Sequence, residues 1–386
     1  MIVHIVLDDK FGDYIISQFN TVDENVNIFF VISFSANFSN ISVKYSNVYS
    51  SNINCLFEYL ENNKKYISSI VFHGLNEEFK WDVIFMYKKL FHLHWMFWGT
   101  DGYMLPCLKK NIFDKKTRKV RRLFSQNKLL TTIVENELTY FFFKKYFFLK
   151  HNKIFFLEKL EKAIKNVNSI SPVIPDDYYL IKRKLKLNAE MVQFSIGSID
   201  SIVKNIKAGK DGKNILVGNS CSLENNHLDI FWRLNLLDLM GRKIIVPLSY
   251  GETYLGLRRL IDSKGYSMFG ENYIPLHEFI AVDEYNKILG DCSVAIFNHK
   301  KQQAMGNIIT LLWLGVKVFI NNESPVYNYL KRESLIVYRT CDISQDGLDN
   351  PLDELQKANN KKIIEHIYCE KNVFKMTSNL VNYLIR

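Results

Sequence analysis

Cysteine is sparse in this 386-residue chain, and its six positions (55, 107, 221, 292, 341 and 369) form neither a CxxC pair nor a Cys/His ligand set. That excludes a zinc module and a disulfide framework, and it points to a reducing compartment. No apolar run approaches the ~20 residues of a membrane-spanning helix. The first seven residues, followed by Asp8 and Asp9, are too few for a signal peptide and predict a strand. A cytosolic chain with at most peripheral membrane contact is expected. The sequence has no Asp-x-Asp triplet and no Walker spacing. A P-loop is therefore excluded, and neither a metal nor a cofactor is expected.

What is present is apolar and aromatic: 47% of residues are hydrophobic, with 28 Phe and 21 Tyr. The length exceeds the ~250–300 residues at which single cores stop growing, so two domains are expected. The net charge of +10 is local. Residues 109–165 hold 16 Lys/Arg against 5 Asp/Glu, a balance of +11, which leaves −1 for the rest. Within that segment FFFKKYFFLKHNKIFF (141–156) interleaves aromatics with cations. Three uses fit. The aromatics can enter a bilayer interface while Lys144, Lys145 and Lys150 meet anionic headgroups. They can form a buried helix face with a solvated basic side. They can stack on single-stranded nucleic acid. The first is favoured: an anionic membrane surface as partner, and no nucleic acid.

Short runs rich in β-branched and aromatic residues recur at 1–7, 27–33, 66–73 and 94–98, and again at 214–218, 243–247, 292–298 and 316–321. Helix-like stretches separate them, at 51–63, 229–240 and 306–314 among others. Strand–helix alternation predicts parallel sheets with ligands beyond the strands' carboxyl ends. Prolines and an acidic pair in SISPVIPDDY (169–178) predict a linker. The expected organisation is an acceptor domain over 1–170, a linker over 171–212 and a nucleotide-binding domain over 213–386, the last helix staying with the second domain or returning to the first. Two Rossmann-like, doubly wound domains facing a cleft describe the α/β layout called GT-B, which some binding proteins and epimerases share.

Polar residues directly after strands are the candidates for chemistry. Gly218, Asn219 and Ser220, with Asn225 and His227 beyond them, suit a phosphate at a helix N-terminus. The alternative is an ordinary capped turn. NHKKQQAMGN (298–307) sets Lys300, Lys301, Gln302 and Gln303 before Gly306 and Asn307 at the start of an apolar helix, which suits a diphosphate. The alternative is a solvated loop. In WGTDGY (98–103), Asp101 follows a strand and is the first choice as a general base; His73, before Gly74, is the second. Asp in such a place most often stabilises its turn, and a lone His is most often structural.

Taken together, ILVGNSCSLENNH, IIVPLSYG, AIFNHKKQQAMGN, GVKVFINNESPVY and the FHG and WGTDGY pair resemble the TDP-N-acetylfucosamine:lipid II N-acetylfucosaminyltransferase family, glycosyltransferase family 56. The resemblance runs in order over about residues 1–329. It implies a GT-B enzyme moving 4-acetamido-4,6-dideoxygalactose from a TDP donor to a polyprenyl-diphosphate-linked glycan. The enzyme would work at the cytoplasmic face of the bacterial inner membrane, during surface polysaccharide synthesis. It also implies donor contacts from the first loop (218–227), from Pro247 and Tyr250, from Gln302, Gln303, Gly306 and Asn307, and from Glu323 at the ribose. Ala304 stands where the pattern leads one to expect glycine. The rival class is a non-catalytic nucleotide-sugar or nucleic-acid binding protein.

Overall fold

A computed structural model describes residues 1–8, 11–33, 41–109, 112–124, 128–203, 212–252 and 254–386, apart from the side chain of residue 135. Asp9 and residues 204–211 of the expected linker lie outside the described residues. The chain divides into two compact units. The first comprises Met1–Lys110, Ile133–Ser198 and Glu370–Arg386; the second comprises Asn111–Thr132 and Ile199–Cys369.

The first unit is built on seven strands: β1 (Ile2–Leu7), β2 (Asn27–Ile32), β3 (Val48–Ser51), β4 (Ser69–His73), β5 (His92–Phe97), β6 (Ser169–Pro172) and β7 (Glu190–Met191). They pair in parallel in the order β3-β2-β1-β4-β5-β6-β7. A parallel sheet buries both faces, which is why β1, β2, β4 and β5 are continuous apolar runs. On one face Ile2, Val6, Phe29, Val71 and Met96 meet Ile15, Ile16 and Phe19 of helix Gly12–Asn20. Leu380, Val381 and Leu384 of the terminal helix Glu370–Ile385 join that layer. On the other face Val3, Ile5, Ile70, Phe72, Leu93 and Trp95 pack with Leu56, Leu60, Ile84 and Leu160 from three further helices. The segment read as linker begins inside this unit. β6 is its sixth strand, and Pro172 and Pro175 end that strand and open helix Pro175–Leu185. Proline is tolerated at a helix's first turn because that N–H has no intrahelical partner.

The second unit has six parallel strands: β8 (Asn214–Val217), β9 (Ile244–Pro247), β10 (Tyr273–Leu276), β11 (Cys292–Phe297), β12 (Lys317–Ile320) and β13 (Tyr338–Arg339). Their order is β10-β9-β8-β11-β12-β13. Ile215, Val217, Ile244, Val246, Val294 and Ile296 make one core layer with Ile230, Phe231 and Leu234. Those three lie on helix His227–Leu234, which is shorter than the 229–240 read from the sequence because Asn235 ends it and Leu236 to Leu239 leave in turns. The basic helix Lys115–Phe124 belongs to this unit. Asp229 caps it, accepting from the backbone N–H of Lys116 (2.9 Å) and Thr117 (3.0 Å) and from the Thr117 hydroxyl (2.7 Å).

Candidate active site

Strand order reverses between β8 and β11 in the second unit and between β1 and β4 in the first. Crevices at such reversals, beyond the carboxyl ends, are where doubly wound sheets bind ligands.

In the second unit Gly218 follows β8 with φ 71°. A Cβ there would stand 2.6 Å from His227 Nε2 and 3.0 Å from Asn225 Oδ1, so only glycine fits. Asn225 organises the loop. Its Oδ1 accepts from the Asn219 N–H (3.2 Å), and its Nδ2 reaches Ser220 O (2.9 Å) and Ser222 Oγ (3.0 Å). His227 is buried, and burial holds its pKa down to about 3, so it stays neutral.

Gln303 Nε2 ties the two loops at the β8/β11 reversal together, donating to Asn219 Oδ1 at 2.9 Å and lying 3.3 Å from Ser222 Oγ. Asn219 Nδ2 in turn donates to the Tyr250 hydroxyl beyond β9 (3.1 Å). Gln303 Oε1 is buried without a hydrogen-bond partner. Ala304 leads into helix Met305–Trp313 with φ 62° and no side-chain cap. That is the left-handed conformation in which glycine was expected, and it costs an L-residue roughly 1–2 kcal/mol. A Cβ on Gly306 would meet nothing within 4 Å, so the first turn of this helix is open at Gly306. Asn307 is turned elsewhere, donating to the Tyr285 hydroxyl at 3.0 Å.

The lysines of this loop are already paired. Lys300 Nζ lies 2.8 Å from both Asp114 and Glu323. Burial works against its charge, but the two carboxylates outweigh burial and its pKa rises. Lys301 stands 3.7 Å from Glu224. Glu323 therefore holds a lysine, and Gln302 is buried. The anion-binding capacity left at this edge is backbone and amide N–H. A second network, not legible in the sequence, braces the loop. Asn298 Nδ2 donates to Asp114 (2.7 Å), and Asn226 Nδ2 donates to Asn298 O (2.9 Å).

In the first unit His73 ends β4 at the reversal, and Asp101 lies just after β5. Both are buried, at 6% and 1% exposure. Asp101 Oδ2 accepts from Trp95 Nε1 (2.6 Å) and from the Leu75 N–H (3.0 Å), clamping the turn at Gly74. Its Oδ1 is without a partner. Burial lifts the Asp101 pKa to about 6, against the pull of those two donors and of Lys80. Sequence reasoning missed Asp177, in helix Pro175–Leu185. Tyr103 donates to its Oδ1 at 2.7 Å, and burial raises its pKa to about 8.

Helix Glu137–His151 of the first unit divides the aromatic run into two faces. Tyr140, Phe143 and Phe147 pack on Phe155. Leu138, Phe142 and Leu149 are exposed by 69%, 63% and 83%, with Phe141, Tyr146 and Phe148 beside them. At about 100° per residue, Lys144 and Lys150 fall on the two borders of this apolar face and Lys145 within it. Among the described residues no helix is long and apolar enough to cross a membrane.

A family model described as 4-alpha-L-fucosyltransferase, glycosyl transferase group 56, matches residues 143–369, more than half of the chain. The chain belongs to this family. It is a glycosyltransferase, and the loops of this group 56 chain that follow β8, β9, β11 and β12 all lie inside the matched span, whereas His73 and Asp101 precede it. Several solved structures are similar over essentially their whole length. A glycosyltransferase from Rickettsia africae is 10% identical with a TM-score of 0.61, covering 100% of this chain and 98% of that one. An E. coli trehalose-6-phosphate protein bound with UDP-2-fluoro glucose is 10% identical, TM-score 0.60, covering 100% and 99%. Sucrose-phosphate synthase from Thermosynechococcus elongatus is 9% identical, TM-score 0.60, covering 99% and 98%. Identities this low speak for the fold alone. That fold is GT-B, with two Rossmann-like domains.

Proposed function

We propose that this group 56 chain transfers a deoxyamino sugar, such as 4-acetamido-4,6-dideoxygalactose, from a TDP donor to a polyprenyl-diphosphate-linked glycan. The transfer takes place at the cytoplasmic face of a bacterial inner membrane, during surface polysaccharide synthesis. The observation that carries the donor half is the Asn219–Gln303 bond beside the open N-terminus of helix Met305–Trp313. The helix N-terminus and the Ser220 backbone N–H suit a diphosphate. Gln303 Oε1 suits a donor hydroxyl or acetamido N–H, since a phosphate has no proton to give it. A fucosyltransferase moves a 6-deoxyhexose, so the family's description supports a deoxy sugar. Negative charge growing on the leaving diphosphate is met by fixed N–H dipoles rather than by a divalent ion. On the acceptor side the proton goes to His73, and Asp101 holds the turn beside it.

Titration calorimetry tests the donor site. Gln303→Ala and Asn219→Ala are expected to weaken TDP-sugar binding by roughly 10- to 150-fold, the equivalent of about 1.5–3 kcal/mol for a hydrogen bond to a charged group. Turnover is expected to survive EDTA. Unchanged donor affinity in both variants, or activity lost in EDTA and restored by magnesium, would refute this reading.

A further inference from the structure

An unbroken line of polar groups crosses the apolar layer between the first unit's sheet and its helices. Asn27 opens β2, His4 lies in the middle of β1, and His73 ends β4. All three are buried among Ile2, Phe19, Phe29 and Val71. His4 Nε2 is 2.9 Å from Asn27 Oδ1, and His4 Nδ1 is 3.1 Å from His73 Nε2. His73 Nδ1 is buried with no hydrogen-bond partner.

The protons on this line follow from its anchored end. The Asn27 amide nitrogen donates to Asp23 O (2.6 Å) and Phe19 O (3.4 Å), both acceptors only, so Oδ1 must face His4. An oxygen there requires a proton on His4 Nε2. His4 is neutral, because burial takes its pKa down to about 3 despite the Asn27 bond. A neutral imidazole carries one N–H, so His4 Nδ1 is a lone pair. That lone pair requires His73 to donate from Nε2. His73 is neutral too: burial, the largest cause, holds its pKa well below the usual value. Its Nδ1 must then be an unprotonated lone pair. Lys80, whose ammonium bonds His73 O (3.0 Å), is itself paired with Glu77 at 2.8 Å. The ring is also fixed sterically, with Phe19 edge-on at 6.0 Å and Trp98 stacked at 6.2 Å.

We infer that Asn27 and His4 are positioning residues that lock His73 in its Nε2–H tautomer, so that Nδ1 is the atom that takes the proton of the acceptor hydroxyl. This rests on the assignment of His73 as base made above. In the step the acceptor oxygen bonds the anomeric carbon, and the carbon–oxygen bond to the diphosphate breaks with its electron pair. The hydroxyl proton moves to Nδ1. Nε2–H keeps its bond to His4, so the imidazolium stays oriented and releases its proton to solvent. A layer that could have been wholly apolar instead carries a satisfied chain ending in one unsatisfied acceptor at the ligand edge of the sheet. Unsatisfied buried acceptors are costly and concentrate where a partner is to arrive.

The test reads the protons directly. Long-range 15N–1H correlation of the full chain labelled on histidine distinguishes protonated from bare ring nitrogens, with His4→Phe and His73→Asn used for assignment. Both residues are expected as Nε2–H tautomers at pH 7, whether or not any substrate is supplied. A proton on His73 Nδ1 would overturn the relay. Kinetics make the second arm. Asn27→Leu removes the anchor and is expected to lower kcat toward the 10²–10⁴-fold loss of a missing base, with TDP-sugar affinity unchanged. A folded Asn27→Leu protein with wild-type kcat would overturn the positioning role. His73→Asn with wild-type turnover would overturn the base assignment while leaving the tautomers as measured.

Discussion

Asp101 and His73 follow neighbouring strands, and burial moves their proton affinities in opposite directions. Asp101 has its folded pKa raised to about 6, above the ordinary value near 4. A raised pKa contributes stability that is fully present below about pH 4 and is lost as pH rises through 6. Asp101→Asn keeps an oxygen for Trp95 Nε1 and the Leu75 N–H while removing that loss. The variant is expected to match wild type in unfolding free energy near pH 4 and to exceed it at pH 7 by on the order of 1–3 kcal/mol, read by denaturant titration at the two pH values. With His73 as the base, turnover is expected to fall less than about tenfold; a 10²–10⁴-fold drop at unchanged donor affinity would place the base on Asp101. Legibility at this scale follows position. His73 and Asn219 stand at or just past strand ends and Gln303 in the loop between β11 and the next helix, where the sequence pattern singles out polar residues. His4 and Asn27 lie within an apolar run, where a single polar residue reads as part of the core. Asp177 was hidden because Pro175 and its acidic neighbours resemble a linker. The pairing of Lys300 with Asp114 joins residues 186 apart and leaves no local trace.

At the scale of elements, the long apolar strands were readable because burial on both faces demands continuous hydrophobic runs. β3, β6, β7, β10 and β13 were not. β7 and β13 have two residues each, too few to register, and β3, β6 and β10 lack a continuous β-branched run, being Val-Tyr-Ser-Ser, Ser-Ile-Ser-Pro and Tyr-Ile-Pro-Leu. Serines suit β6 because its neighbours are polar: Ser169 Oγ lies 2.7 Å from His94 Nδ1, and Ser171 Oγ donates to Val192 O at 2.7 Å. Helix Met305–Trp313 illustrates what an element end contributes. Its first turn carries the exposed Gly306, where an added Cβ would meet nothing within 4 Å. Gly306→Leu is therefore expected to raise the melting temperature, since leucine is better than glycine in a helix by roughly 1 kcal/mol. The added side chain fills the space assigned to the diphosphate, so TDP-sugar affinity is expected to fall at least tenfold. Stabilisation with intact donor affinity, seen in one thermal-shift titration, would move the diphosphate away from this helix.

At the scale of the molecule, the excess positive charge of residues 109–165 is one tract in sequence and is divided between the two units. The helix Lys115–Phe124 belongs to the second unit, capped by Asp229; the helix Glu137–His151 belongs to the first. Of the two, the latter pairs its cations with a wide exposed apolar face, Lys144 and Lys150 on its borders and Lys145 within it, the pattern expected of an interfacial helix. Lys145 lies over the Phe141 ring at 4.4 Å and Lys150 over Tyr146 at 5.6 Å, so each ammonium already rests on an aromatic that can enter the headgroup region. Each lysine near an anionic leaflet contributes about 1 kcal/mol, and buried leucine and phenylalanine add about 1.5–3 kcal/mol each. Three lysines with Leu138, Phe142 and Leu149 thus reach the roughly 8 kcal/mol of micromolar adsorption. Co-sedimentation with phosphatidylserine-containing and neutral vesicles is the measurement. Wild type is expected to bind the anionic vesicles and to release as salt shortens the screening length below ~10 Å. Lys144→Glu, Lys145→Glu and Lys150→Glu together are expected to weaken binding at least a hundredfold. Phe142→Ser with Leu149→Ser is expected to weaken it on both kinds of vesicle, because the apolar share does not depend on lipid charge. If the lysine variant binds as wild type does and the serine variant does too, the exposed face serves something other than a bilayer.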